Sequence, residues 1–283
     1  MRKIMLIATV IAAFAFTATA QISDGDRHWN ARAEGHVNGR AKAAPIDAAI
    51  AAYQKAVIQD PNNLEARWKL LRAIRFKGAY VASADTDKKN IYAGAKTAGE
   101  GAIAVVNRAL AAKNVKSNAP EKQIADAARA IAGAGEVFFW DSVNWGEWAL
   151  AYGKMAAVRE GAADRIRREA TIAMLVDPKM DGGGPQRVLG RLHDQTPHVP
   201  FLTGWASSKE AVRFLNESYK IDPANKVTRV FLAEAMMSND SKSAPAAIRI
   251  LREVINSPND PDYEVENAQA QEDAKALLRN WGA

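Results

Sequence analysis

Residues Ile46–Asn63 read IDAAIAAYQKAVIQDPNN, and the reading of this stretch decides the fold class. Ala49, Tyr53 and Ala56 recur one helical turn apart, and Pro61 stops the run. The two alanines are small enough for a neighbouring helix to approach, Tyr53 is the knob between them, and a proline cannot continue a helix. The next segment, Leu64 to Gly78, starts a second helix with Trp68, Leu70, Leu71 and Ile74 as core candidates.

A helix ending in Asp-Pro-Asn-Asn and followed at once by another resembles the second helix of a tetratricopeptide repeat and the first helix of the next unit. The device returns at Ser208–Asn225, SKEAVRFLNESYKIDPAN, where Ala211, Leu215, Ser218 and Pro223 take the corresponding places. Weaker copies run from Ile166 to Pro178, ending Leu-Val-Asp-Pro, and from Ala247 to Pro258. One hairpin cannot bury its apolar face alone, so several units imply stacking. Pro178 and Pro223 lie further apart than the ~34-residue period of a regular array. Val, Ile and Thr do not alternate, and apolar residues recur at helical spacing almost throughout. The expected fold is all-α, an irregular tetratricopeptide-repeat-like helical-hairpin solenoid over residues 46–283.

Outward from that body, residues 1–20 read as a cleavable secretory leader: Arg2 and Lys3, an apolar core Ile4–Phe16, then the small-residue box Ala18-Thr19-Ala20. The apolar core is shorter than the ~20 residues that span a bilayer. Residues 21–45, polar and rich in Gly and Asn, read as a flexible N-terminal arm or a short capping helix. The 283 residues include no cysteine, which excludes disulfides, thiolate metal sites, cysteine nucleophiles and the lipid attachment of a lipoprotein. The expected location is therefore the periplasm, with no stable membrane span after cleavage. Net charge is +6, and +4 without the leader's Arg2 and Lys3, with acids and bases interleaved along the chain. Solvated helix faces account for such a pattern, and nucleic acid is not an expected partner.

The middle third carries no good repeat copy. Asn90–Asn114 reads as one long alanine-rich helix after a polar turn at Ser83–Asp87, and Pro120–Ala134 as another. Then comes Glu136–Lys154, EVFFWDSVNWGEWALAYGK, with three of the seven tryptophans. Phe138, Trp145, Trp148 and Tyr152 share one stripe, and Trp140 and Asn144 an adjacent face. So aromatic a helix belongs at the centre of the fold. Its rings are either core filler between hairpins or the wall of a cavity. In the second case Trp140, Trp145 and Trp148 supply apolar area, and Asp141, Asn144 and Glu147 are the polar groups that orient a small ligand.

Asp177–Leu192, DPKMDGGGPQRVLGRL, sets the triplet Gly182, Gly183 and Gly184 before Pro185 and a short amphipathic helix. The Gly-Lys-Ser/Thr ending of a phosphate-binding loop is missing, as is a preceding strand, so the glycines read as a sharp structural turn. Arg187 and Arg191 could face a carboxylate. His193 and His198 flank Asp194 without the spacing of a metal motif, and no Gly-x-Ser-x-Gly elbow occurs. Asp85 and Asp87 sit in the polar turn. No catalytic residue, metal or cofactor is expected.

The leader, the hairpins, the aromatic helix and the run DPKMDGGGPQRVLG together resemble the TRAP transporter T-component family. Gly182, Gly183, Arg187 and Gly190 match its glycine-rich turn and following helix, and Trp140 its aromatic-helix tryptophan. The resemblance implies a non-enzymatic accessory that associates with a periplasmic solute-binding protein or envelope complex. It also implies an internal pore that passes small hydrophobic ligands. The sequence thus leads to a binding or scaffold protein, with a carrier of an apolar or carboxylate ligand as the alternative.

Overall fold

The structure is a computed structural model that describes residues 18–199 and 203–283. The leader core Ile4–Phe16 lies outside the described residues. These form an all-α fold in which successive helices pack side by side: α1 (18–30), α2 (Ala43–Gln59), α3 (Leu64–Phe76), α4 (Asp85–Ala111), α5 (Glu121–Ala128), α6 (Ala134–Tyr152), α7 (Lys154–Arg159), α8 (Ala162–Val176), α9 (Gly184–Gln195), α10 (Ser208–Ile221), α11 (Lys226–Asn239), α12 (Ala244–Asn256) and α13 (Glu264–Trp281). One isolated bridge, Val37 with Arg40, is the sole β feature among the described residues. No helix among them is long and apolar enough to cross a membrane.

The Asp-Pro turns show why the repeats fold alike. After α2, the Asp60 carboxylate accepts the Asn62 amide at 3.1 Å, and Asn63 caps α3 by accepting the Ala66 amide at 2.9 Å. After α10, Asp222 accepts the Ala224 amide at 3.1 Å and Asn225 caps α11 through the Thr228 amide at 2.9 Å. Asp177 accepts the Lys179 amide in the same way. Each proline blocks the finished helix while the Asx side chains take up amides that the turn and the next helix leave unpaired. Between those stops, Ala49 and Ala56 are wholly buried, as is Tyr53, which donates its hydroxyl to Asp26 on α1 at 2.8 Å. Burying such a ring contributes about 1.5–3 kcal/mol.

The aromatic helix α6 is central, as its composition predicts, and packs against α3, α4, α8 and α9. One core cluster joins α3 to α4, α5, α6 and α8 around Leu71, Leu110 and Phe139. A second, around Tyr53, Phe76, Trp145 and Ile166, reaches from α2 to α9, and a third closes α11–α13 around Leu251.

Two expectations need correction. Residues 21–45 were open to a flexible arm or a short capping helix, and the arm fails over 21–30, which belong to the docked helix α1. Tyr53 and Lys69 bond to Asp26, and Trp29 packs edge-on against Phe76 at 5.6 Å. The polar residues that made the segment look mobile are the ones that tie it down. Likewise Asp85 and Asp87 form the first turn of α4, not a loop before it, because carboxylates at a helix N-terminus are stabilised by the unpaired amides there.

The two ends of the described chain meet. Arg32 pairs with Glu266 at 3.3 Å and also donates to the Asp262 carbonyl. Gly39, with φ +77°, lies so close to α13 that a β-carbon there would come within 2.5 Å of the Gln269 amide nitrogen. The array of hairpins thereby curls around a half-open space.

Candidate ligand cavity

That space is a cavity of about 740 Å³, a size ordinary for a small-molecule site. Trp140, Val143, Glu147 and Leu150, spaced as one helical stripe, give it the face of α6. Val188 and Arg191 of α9 and Phe231 of α11 stand on another side, and Trp29, Arg72 and Phe76 on a third. A smaller cavity of about 420 Å³ adjoins it, sharing Arg75, Tyr80, Glu147, Phe231 and Glu266.

Most charges on the wall are already engaged. Arg75 pairs with Glu147 at 3.1 Å and donates to the Tyr80 hydroxyl at 3.0 Å. Burial works against the Arg75 charge, but Tyr80 and Glu147 outweigh it and hold its pKa above the usual guanidinium value. Tyr80 belongs to a π-helical turn, Lys77–Val81, whose extra residue per turn carries this ring onto the partition between the two cavities. Arg187 bonds to Asp181 at 2.5 Å and Thr228 at 3.3 Å, and Arg191 to Glu234 at 2.8 Å and Asp194 at 3.2 Å. Arg72 stands apart. Its guanidinium lies 3.9 Å from the Trp29 ring centre and 5.0 Å from that of Trp68, with no ion pair among the described residues. Burial is the main influence lowering its pKa.

The structure separates the residues that the sequence grouped. Trp140 and Glu147 line the cavity, and Arg187 joins them from α9. The other four face away. Asn144 is buried and donates to the Leu71 and Trp140 carbonyls at 3.1 and 2.8 Å, tying α6 to α3. Trp145 and Trp148 sit in the core, rings 5.5 Å apart, and Trp148 stacks on Tyr152. Asp141, with no exposed surface, bonds to Arg165 at 2.7 Å, and Arg165 also holds Glu169 at 3.0 Å. Asp141 and Asn144 therefore serve packing and cannot orient a ligand from where they stand. A three-residue step along α6 carries a side chain to a different neighbour, and the aromatic composition masks which stripe is hollow.

No family model matches this chain, and no curated protein does. What the site can do rests on its own geometry.

The glycine run does bend the chain. Gly182 and Gly183 take φ +60° and +78°, and Gly184 begins α9 against the Phe139 ring. Gly190 is spacing of another kind: a β-carbon there would meet Leu215 at 2.5 Å and the Ala211 carbonyl at 3.1 Å. Gly190→Ala is expected to cost about 1–2 kcal/mol, an overpacking penalty partly offset by the higher helix propensity of alanine. Urea unfolding of the two proteins measures it, and equal midpoints would show that α9 and α10 can separate freely. His193 accepts the Ser207 amide through Nδ1 at 3.2 Å, and His198 Nδ1 lies 3.1 Å from the Ala206 carbonyl, so both histidines secure the loop before α10.

Arg72, Trp29 and Phe76 were not singled out in the sequence as site residues. The one signal was Trp68 four residues before Arg72 on the same helix. Trp29 sat in a stretch with no readable period.

Proposed function

We propose that this chain is a binding protein, not a catalyst, and that it holds a small, largely apolar ligand in the cavity beside α6. The observation that carries the reading is the size and apolar lining of this half-open cavity. A cavity of about 740 Å³ lined by Trp140, Val143, Val188 and Phe231 removes an apolar body from water, while the arginines on its wall are fixed mostly to protein acids. In this reading the protein works in the periplasm after its leader is removed. The resemblance to the TRAP transporter T-component family, in which an internal pore is described, supports the same site.

Gly146 makes the test clean. It lines the cavity in mid-α6, and a β-carbon there meets nothing within 4 Å. Gly146→Phe is expected to fill the cavity and abolish binding of 1-decanol, followed by tryptophan fluorescence. The fold should keep its stability, because the glycine it replaces is itself about 1 kcal/mol unfavourable in a helix. Undiminished binding in this variant would place the ligand elsewhere.

A second reading, docking of a partner protein such as a solute-binding protein, is favoured by one feature. Leu150, Met155, Val158 and Val199 are 63%, 69%, 52% and 40% exposed, and three of them also line the cavity. An exposed apolar cluster at such a place suits a partner that delivers or receives the cargo.

A further inference from the structure

The search for what this cavity would select leads to Arg72. We infer that Arg72 is the head-group anchor of the cavity and that its ligand is an organic carboxylate, an apolar body ending in one anionic head. This rests on the cavity being the ligand site, and adds the chemical class.

Every other arginine on the cavity wall has a carboxylate partner: Arg32 has Glu266, Arg75 has Glu147, Arg187 has Asp181 and Arg191 has Glu234. Arg72 has none among the described residues: its polar neighbour is the uncharged Tyr53 hydroxyl, and its Nε is buried without a hydrogen-bond partner. Asp26, whose charge Arg72 feels, is held by Lys69 at 2.7 Å and by the Tyr53 hydroxyl at 2.8 Å. A buried donor left unpaired is costly, and native interiors rarely leave one so.

The stacking explains what remains available. Trp29 and Trp68 lie against the planar group at 3.9 and 5.0 Å to their ring centres. Cation–π contact uses the face of a guanidinium. Its N–H groups all point outward in its plane, and that edge matches the two oxygens of a carboxylate. Arg32 sits 4.4 Å from the same Trp29 ring, with its own edge bonded to Glu266. Two guanidinium groups thus lie over one ring, one bonded to a protein carboxylate and one without such a partner among the described residues. Trp29 and Phe76 give the neighbouring wall an apolar surface for the ligand's chain.

The test compares two probes of equal chain length, decanoate and 1-decanol, on the full chain by isothermal titration calorimetry at neutral pH. Wild type should prefer decanoate. Arg72→Gln should weaken decanoate about tenfold or more, the usual loss for a charge-assisted pair, while 1-decanol changes by less than about twofold. Arg72→Lys keeps the charge without the fork and should recover part of the loss. Equal binding of both probes to wild type, or a decanoate preference that survives Arg72→Gln, overturns the anchor and leaves the cavity reading standing. Binding of neither probe to wild type overturns both. Should Arg72→Gln not fold, the wild-type Arg72 Nε–Hε NMR signal, assigned by its loss in Arg72→Lys, decides. A shift on adding decanoate and not 1-decanol supports the anchor, and no shift overturns it.

Discussion

Arg165→Met is expected to destabilise the protein by about 3–5 kcal/mol at neutral pH, the cost of leaving buried charge without its partner. Arg165 bridges Asp141 on α6 and Glu169 on its own helix, and neither acid has more than marginal exposure. The outer oxygens Asp141 Oδ1 and Glu169 Oε2 accept no hydrogen bond. Burial raises the pKa of both acids. For Glu169 the negative charge of Asp141 adds to it and carries that carboxyl well above the ordinary range, with Arg165 opposing. An acid whose folded pKa is raised binds a proton in the folded state that the unfolded chain has released. Its contribution to stability is therefore complete below the unfolded value and is lost as pH rises through the folded one. The window opens near the ordinary glutamate value and extends upward. Wild type should accordingly lose stability from mildly acidic to mildly alkaline pH through this cluster, and Arg165→Met should lose it more steeply. Glu169→Gln, neutral and still able to donate toward Asp141, should flatten the slope. Urea unfolding at pH 5 and pH 8 measures all three proteins. Equal pH slopes in wild type and Glu169→Gln would show that Glu169 is ionised in the folded state at both values.

Gly99→Ala should strain the same cluster from the other side, though the site lies on α4 and carries no charge. A β-carbon on Gly99 would stand 1.8 Å from Asp141 Oδ1. Nothing flexible and distant can yield there, because the atom belongs to the short, wholly buried side chain held by Arg165. Either α4 moves off α6, an overpacking cost of about 1–3 kcal/mol, or Asp141 turns and forfeits a charge-assisted hydrogen bond of about 1.5–3 kcal/mol. Alanine's better helix propensity returns about 1 kcal/mol. The expected net loss is about 1–2 kcal/mol by chemical denaturation, and Gly94→Ala is the control, since a β-carbon there meets nothing within 4 Å. Equal effects of the two substitutions would mean that α4 and α6 are not in firm contact at Asp141.

The helices were legible because their signals are local. Tyr53 between two alanines, Asp-Pro turns at residues 60, 177 and 222, and glycines at a left-handed turn each act within a few residues of their own position. Those features led directly to α2, α9, α10 and the turns between them, and the aromatic density of Glu136–Lys154 placed α6 at the centre. Sequence left residues 21–45 undecided between an arm and a capping helix, because Asp26 and Trp29 gain their meaning from Lys69, Tyr53 and Phe76, residues some tens of positions away.

The division is the same for the site. Sequence alone determined an all-α array of stacked hairpins, since periodicity and turn chemistry act along the chain and survive whatever packs against them. Only the tertiary structure decided that the array closes through Arg32 and Gly39 onto α13. It also decided that Trp140 and Glu147 face a hollow while Asp141, Asn144, Trp145 and Trp148 face neighbours, and that of the arginines on the cavity wall Arg72 is left without an acid among the described residues. Closure, hollowness and charge pairing are relations between distant segments, set by which surfaces meet when apolar area is buried, and no local pattern encodes them.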